Sequence, residues 1–458
     1  MSRHPNPIVL LCLGAFSLVA CAAETDRGIQ TSQPVGGTVQ VQSGKYTVAC
    51  YYFPNYHVDP LNEARHGKGW TEWELVKQAK PRFEGHQQPK VPAWGYTDEA
   101  DPRQMAQKID AAADAGIDVF LFDWYYYDSG LFLQRGLEKG FMKALNASRM
   151  KYALMWANHD WKDIHPIHQN PPPVQFPGKI TRQTWDRMTD YIISEYFKHP
   201  SHWKIDGRPY FSVYDLHTLT ASFGSVEATA GALRSFRDKT KAAGFPGLHL
   251  NAVVWGNPIL PGEKTVKNRS ELVDRLGFDS VTSYVWVHHV PLDEFPRTPY
   301  EKVMTKYNAY RDNAAGEFHV PYYPNVTMGW DPSPRTVQTE PFTPSGYPHT
   351  ATLSGTTPEA FRRALLETRK YLDGRPAGQR ILTINAWNEW TESSYLEPDT
   401  VNGTGYLDVS APDQKRSGRS DPRPLAYARM DRRLTASFLF AHPLGQIPPI
   451  MSQRSGWP

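Results

Sequence analysis

From residue 46 the chain alternates between short, nearly continuous apolar runs and longer stretches with helical periodicity. The runs are YTVACYY (46–52), DVFLFDW (118–124), YALMWA (152–157), PYFSVY (209–214), LHLNAVVW (248–255), FDSVTSYV (278–285), FHVPYYP (318–324) and RILTINAW (380–387). Runs rich in β-branched and aromatic residues, with little polar alternation, read as strands buried on both faces. Between them DPRQMAQKIDAAADAG (101–116) opens on Asp-Pro and stops at Gly, the ends a helix prefers. SVEATAGALRSFRDKTKAAG (225–244) and TPEAFRRALLETRKYLDG (357–374) close on Gly as well, and further helices are expected over 134–146, 183–197, 264–276 and 300–314. Eight strands alternating with helices predict an α/β protein, a single (β/α)8 TIM barrel with long loops at the C-terminal face of its strands. An open doubly wound sheet would want a Gly-rich phosphate turn after the first strand, and the turn here, FPNYHVDP, supplies none.

The insertions at 53–100, 158–180 and 325–356 all follow strands, where a barrel builds its site. No composition break marks a second globular domain, so the barrel is expected over 45–440, with a C-terminal tail at 441–458 and one more helix within 421–445. Ahead of it, Arg3 and the apolar run IVLLCLGAFSLVAC read as a signal peptide over 1–20, too short for a membrane span. LVAC at 18–21 fits a lipobox that would lipidate Cys21, and Ala20 and Ala22 also fit ordinary cleavage after Ala22. Residues 21–44 then form a tether. Export to the periplasm or cell surface, or secretion, is the expected localisation. Membrane attachment would run through Cys21.

Composition narrows the chemistry. A formal charge of +3 with both signs interspersed does not call for a nucleic-acid partner. The 14 Trp, 24 Tyr and 20 Phe exceed what a core needs and suit a cleft that stacks on sugar rings, so a poly- or oligosaccharide is the expected partner. Cys50, inside an apolar strand, reads as an inert buried thiol. No cysteine pair, H-E-x-x-H or other ligand spacing supports a metal, and no cofactor is expected.

If the barrel holds, its chemistry gathers where the strands end. Substrate contacts are expected from Tyr56 and His57 after the first strand, and from Asp123, Trp124 and Tyr126 after the second. The third strand would add Trp156, Asn158, Asp160 and Trp161, and the sixth Tyr284 and Trp286. Trp330 follows the seventh strand and Asn388 the eighth, where it is expected to orient Glu389 or bind a hydroxyl. Glu72 either reaches the groove or braces its loop. The best pair is Glu389 and Glu392. On a helical turn, positions i and i+3 share a face with Cβ atoms about 5–6 Å apart, near the carboxyl separation of about 5–5.5 Å used by retaining glycosidases. The same spacing also fits two acids that merely stabilise a helix N-terminus.

The stretches FPNYH (53–57), GKGWTEW (67–73), WANHDW (156–161), DGRPYFSVY (206–214), GWDPSPR (329–335) and NAWNEWTESSYLEPD (385–399) occur in order and together resemble the WbsX-type proteins, which are similar to glycoside hydrolase family 99, the endo-acting α-mannosidases and α-mannanases. The resemblance covers roughly residues 46–410. It implies a (β/α)8 barrel that cleaves an α-linked polysaccharide, α-mannan-like or α-rhamnose-containing, with retention through a 1,2-anhydro sugar. It further implies that Glu389 acts as base on the sugar 2-hydroxyl and Glu392 as acid/base at the leaving oxygen. Two departures bear on the substrate: His159-Asp160 stands where the pattern has Glu-Asn, and Ser393-Ser394 where it has a Gly-Ala or Gly-Thr step. A glycan-binding barrel without catalysis, and a glycosyltransferase of polysaccharide assembly, are the competing readings.

Overall fold

The protein is described by a computed structural model over residues 46–410. The expected signal peptide, Cys21, the tether and everything after 410, including the expected helix and tail, lie outside the described residues. Eight parallel strands form the frame: β1 (Thr47–Tyr52), β2 (Val119–Tyr127), β3 (Lys151–Trp156), β4 (Arg208–Val213), β5 (His249–Val253), β6 (Ser280–Thr282), β7 in two pieces (Tyr322–Tyr323 and Asn325–Thr327) and β8 (Ile381–Asn385). Each neighbour in sequence pairs with the next, and β8 returns to β1 with Thr47 opposite Ile381. The seventh strand divides at Pro324, which has no N–H to give a ladder. Its first piece pairs with β6 and its second with β8, so the sheet closes across the break.

The alternation of side chains along each strand sorts the core into two layers. Ala49, Tyr51, Leu121, Ala153, Met155, Tyr210 and Val253 fill the barrel. Cys50, Tyr52, Phe120, Phe122, Leu154, Phe211 and Leu250 face the surrounding helices. Burial pushes the Cys50 thiol well above its usual range, as an inert core cysteine requires.

Helices form where periodicity and caps called for them. Pro102–Asp114 is capped by the Asp101 carboxylate, Val226–Ala242 by the Ser225 hydroxyl and Pro358–Asp373 by the Thr357 hydroxyl. The segment expected as a helix over 134–146 is instead a wide π turn, Gly136–Gly140, followed by a 3₁₀ turn, Phe141–Lys143. Packing decides this: a Cβ at Gly140 would fall 2.0 Å from the Glu99 carbonyl oxygen, so backbone lies directly on backbone there. The expected helix over 264–276 begins only at Arg269, after Asn268 in a left-handed conformation. Among the described residues no helix is long and apolar enough to cross a membrane.

Candidate active site

Strand β8 is fully buried, and beyond it the chain turns back on itself. Asn388–Glu389 pairs antiparallel with Ser394–Tyr395, and Trp390–Glu392 makes a 3₁₀ turn between them. Glu389 and Glu392 therefore sit at the start and end of a tight hairpin rather than on an α-helix. Ser393 closes the hairpin at φ +49°, a left-handed position. Gly329 lies against it, and a Cβ there would be 2.2 Å from the Ser393 carbonyl oxygen. That contact admits the loop after β7, which Asp331 N–H ties to the Glu392 carbonyl at 2.6 Å.

This loop delivers Arg335. Its guanidinium is buried, and all five N–H donors are engaged. Nε and Nη2 donate to Glu72 Oε1 at 2.9 and 2.7 Å; Nη2 also donates to Glu389 Oε1 at 2.8 Å, and Nη1 to Glu392 Oε1 at 2.8 Å and to the Tyr347 hydroxyl. Tyr347 in turn donates to Glu392 Oε1 at 2.8 Å. Glu72 is held further by the Thr391 hydroxyl at 2.6 Å and the Asn55 amide at 2.5 Å. Glu72 thus braces Arg335 from the loop after β1.

Three carboxyls around one guanidinium cannot all ionise cheaply in a buried site. Burial raises Glu72, but Arg335, His165 and the Thr391 hydrogen bond outweigh it and hold Glu72 below the usual carboxylate range. Glu389 goes the other way. Burial and the neighbouring Glu392 push it well up, against the pull of Arg335. Burial raises Glu392 also, opposed by Arg335 and the Tyr347 hydrogen bond. Burial and mutual repulsion therefore favour a proton on the pair rather than on Glu72, and more on Glu389, which accepts fewer hydrogen bonds, than on Glu392.

Above the cluster lies a partly open cavity, lined by Glu389, Glu392 and Arg335 together with Asp123 and Tyr125 of β2 and residues from the loops after β3, β5 and β6. Among the described residues nothing donates to the Oε2 atom of either acid. Asp123 lines the wall with Oδ2 accepting from the Tyr284 hydroxyl at 2.8 Å and Oδ1 buried without a partner. Burial raises it well above a usual aspartate. Trp161 stacks on His165 with ring centres 5.0 Å apart. Burial lowers His165 and His288 to about 3 and lowers His159 as well, which favours the neutral form of all three wall histidines. Among the described residues no group of His, Cys, Asp and Glu is placed to hold a metal ion.

Of the residues expected from sequence, the cavity brings together Glu389, Glu392, Asp123, Asp160, Trp161, Tyr284 and Trp330. Eight others point elsewhere, which corrects the expectation that they line the groove. Trp124, Trp156 and Trp286 belong to the layer between barrel and helices, and Tyr126 packs against that layer. Tyr56 lies under the hairpin with its hydroxyl accepting from Thr391 N–H at 3.3 Å. His57 is buried against Glu99 at 2.9 Å. Asn158 exchanges hydrogen bonds with the backbone of Asp215, at 2.8 and 2.7 Å. Asn388 does the same with Phe53, accepting from its N–H at 2.8 Å and donating to its carbonyl at 2.7 Å, so it ties β8 to the loop after β1. Sequence reasoning missed Arg335, Tyr347, Lys162 and Tyr214, whereas His159, marked in sequence as a departure bearing on the substrate, does line the cavity. Tyr125 also lines the cavity, and strand parity selects it over Trp124 and Tyr126.

The fold and the site define a (β/α)8 barrel carrying a buried carboxyl–guanidinium cluster under an open cavity at the C-terminal ends of its strands. The chain belongs to the family described as Glycosyltransferase WbsX, whose profile matches residues 48–410. Proteins designated WxcX from two strains of Xanthomonas campestris pv. campestris are 26% identical over 396 residues, covering 80% of this chain and 49% of theirs. The chain thus spans about half the length of those relatives. Among solved structures, the GH99 endo-alpha-mannosidase from Bacteroides thetaiotaomicron is 14% identical with a TM-score of 0.48, covering 82% of this chain and 99% of that one. A beta-glucosidase from Thermotoga maritima is 11% identical with a TM-score of 0.41, covering 80% and 99%.

Proposed function

We propose that the protein is a glycoside hydrolase that cleaves an α-linked polysaccharide with retention of configuration, and that Glu389 and Glu392 carry the reaction. One observation bears most of the weight: two buried carboxyls, both pushed upward by burial, are held by a single arginine at the wall of one cavity that aromatic residues help to line. In the proposed cycle Glu389 draws the proton from the sugar 2-hydroxyl as that oxygen attacks the anomeric carbon, while Glu392 protonates the departing oxygen. Water that gives its proton to Glu392 then opens the 1,2-anhydro ring at the anomeric carbon, and Glu389 returns its proton to the freed O2. This assignment needs the shared proton on Glu392. A substrate hydroxyl donating to Glu389 favours its charged form and drives the proton across the pair. α-Mannosidic and α-rhamnosidic bonds both supply the trans 2-hydroxyl that the route requires.

The test is a screen of α-linked polysaccharides in the presence of EDTA, with the anomer of the first product followed by NMR. Glu389→Gln and Glu392→Gln should each lose most activity while still binding glycan. An activated aryl glycoside should partly rescue the second variant and not the first, because a good leaving group needs little protonation. An inverted first product, or full activity without either acid, would overturn the mechanism. A second reading, transfer to another sugar, is favoured by the family's description as a glycosyltransferase. It differs only in whether a hydroxyl or water meets the intermediate, and product length in the same screen separates the two.

A further inference from the structure

Two cations line the cavity among the described residues, Arg335 and Lys162, and only one is spent. Every N–H of Arg335 is committed to Glu72, Glu389, Glu392 or Tyr347. Lys162 differs. Its side chain is 13% exposed, and its nearest charged partner, Asp160 Oδ2, lies 3.9 Å away, beyond hydrogen-bond reach. Asp160 is meanwhile anchored through its other oxygen, which accepts from Gly178 N–H at 2.9 Å. An ammonium with three donors and only a carboxylate beyond hydrogen-bond reach beside it has donors to offer an acceptor that enters the cavity.

The surroundings keep room for that ammonium. Gly262 passes over it at φ +93°, and a Cβ there would come within 2.6 Å of Nζ. On either side of Gly262, Pro261 lines the cavity and Glu263 fixes the loop, its Oε2 accepting from the N–H groups of Ile259 and Leu260 at 2.7 and 2.9 Å. The loop is thus pinned where it leaves space for Nζ. The carboxyl cluster forms a different part of the wall and would repel an anion, which leaves Lys162, beside Asp160, as the cation with donors to offer a negative substituent.

We infer that the cavity accepts a glycan bearing an anionic substituent, a uronic-acid carboxylate or a sulfate ester, and that Lys162 is the residue that selects it. This rests on the proposed function for the glycan but not for the bond cleavage, because the test reads binding. Calorimetric titration of the full chain would compare a neutral α-mannotriose with the same trisaccharide carrying a terminal glucuronic acid, and with a monosulfated form. The charge-assisted contact should favour at least one anionic probe by about ten-fold over the neutral one. In Lys162→Met that ratio should fall to about one, and in Lys162→Glu it should invert. The arm that shows the Lys162-dependent ratio identifies the substituent. Equal binding of all three probes by the natural protein, or a preference that survives Lys162→Met, would overturn the inference. If the ratio is found but no glycan is cleaved, the hydrolase proposal fails and this one stands.

Discussion

Replacing Glu72 with Gln removes one charge from the buried cluster and leaves its shape almost unchanged. Glu72 Oε1 and Glu389 Oε1 both accept from Arg335 Nη2, at 2.7 and 2.8 Å, so they lie no further apart than those two bonds laid end to end, about 5.5 Å. At an effective dielectric of about 20, two unit charges at that distance repel by about 3 kcal/mol, or about two pK units. Glu72 raises both members of the Glu389/Glu392 pair, whereas Arg335 lowers them. The substitution therefore deletes a repulsion and releases the guanidinium toward the pair, and both effects lower the pair's titration. A catalytic form with one proton on the pair would follow it, and both limbs of the pH profile of kcat/KM should move down by about two units. The new amide oxygen can still accept from Arg335 and Thr391, but its NH₂ would face the Asn55 amide, donor against donor, at a cost of about 1–3 kcal/mol in stability. Thermal melts beside the pH profile separate that cost from the electrostatic effect. Carbon-13 NMR of the glutamate carboxyls would show the same downward shift without substrate. A folded Glu72→Gln protein whose limbs stay in place, or move up, would refute the charge argument.

Two further outcomes follow from the same contacts. Asn388→Ala would strand the buried N–H and carbonyl of Phe53, which now bond to its amide, so urea unfolding should show a loss of about 2–4 kcal/mol; an unchanged melt with reduced turnover would restore the substrate-binding role expected from sequence. Burial lifts Glu263 from 4.5 to about 7, against hydrogen bonds from Ile259, Leu260 and Tyr214. Because the folded value is raised, its stabilising share is complete below about 4.5 and is lost as pH rises through about 7, a penalty of about 3 kcal/mol at higher pH. Urea titrations at pH 5 and pH 8 should show Glu263→Gln gaining on the natural protein by about that amount, and an equal gap at both would count against it.

The strands were legible because each is a run of apolar residues buried on both faces, and the two-residue period that sorts those faces was legible with them. In β2, VFLFDWYYY places Leu121, Asp123 and Tyr125 toward the barrel axis and Phe120, Phe122 and Trp124 toward the helices. Trp124 and Trp156 are aromatic and close to strand ends, but parity turns both toward the helices, and Trp286, on a 3₁₀ turn beyond β6, packs into the same layer. Indole rings of that size are as useful between barrel and helices as in a cleft, so residue type alone does not decide. The carboxyl cluster fails to show in sequence for another reason. Glu72 meets Arg335 across 263 positions and Glu389 meets it across 54, and no local pattern encodes a contact at such separations. Arg335 stands in GWDPSPR, a stretch that reads locally as a proline-bound turn. Yet a pair of acids proposed to share a proton in a dry site demands a cation, and a buried guanidinium is the side chain that can satisfy several carboxylates at once. That demand follows from Glu389 and Glu392 alone. Which cation answers it is settled by the approach of Gly329 to Ser393, which brings the loop after β7 close enough for one arginine to reach carboxylates from two ends of the chain.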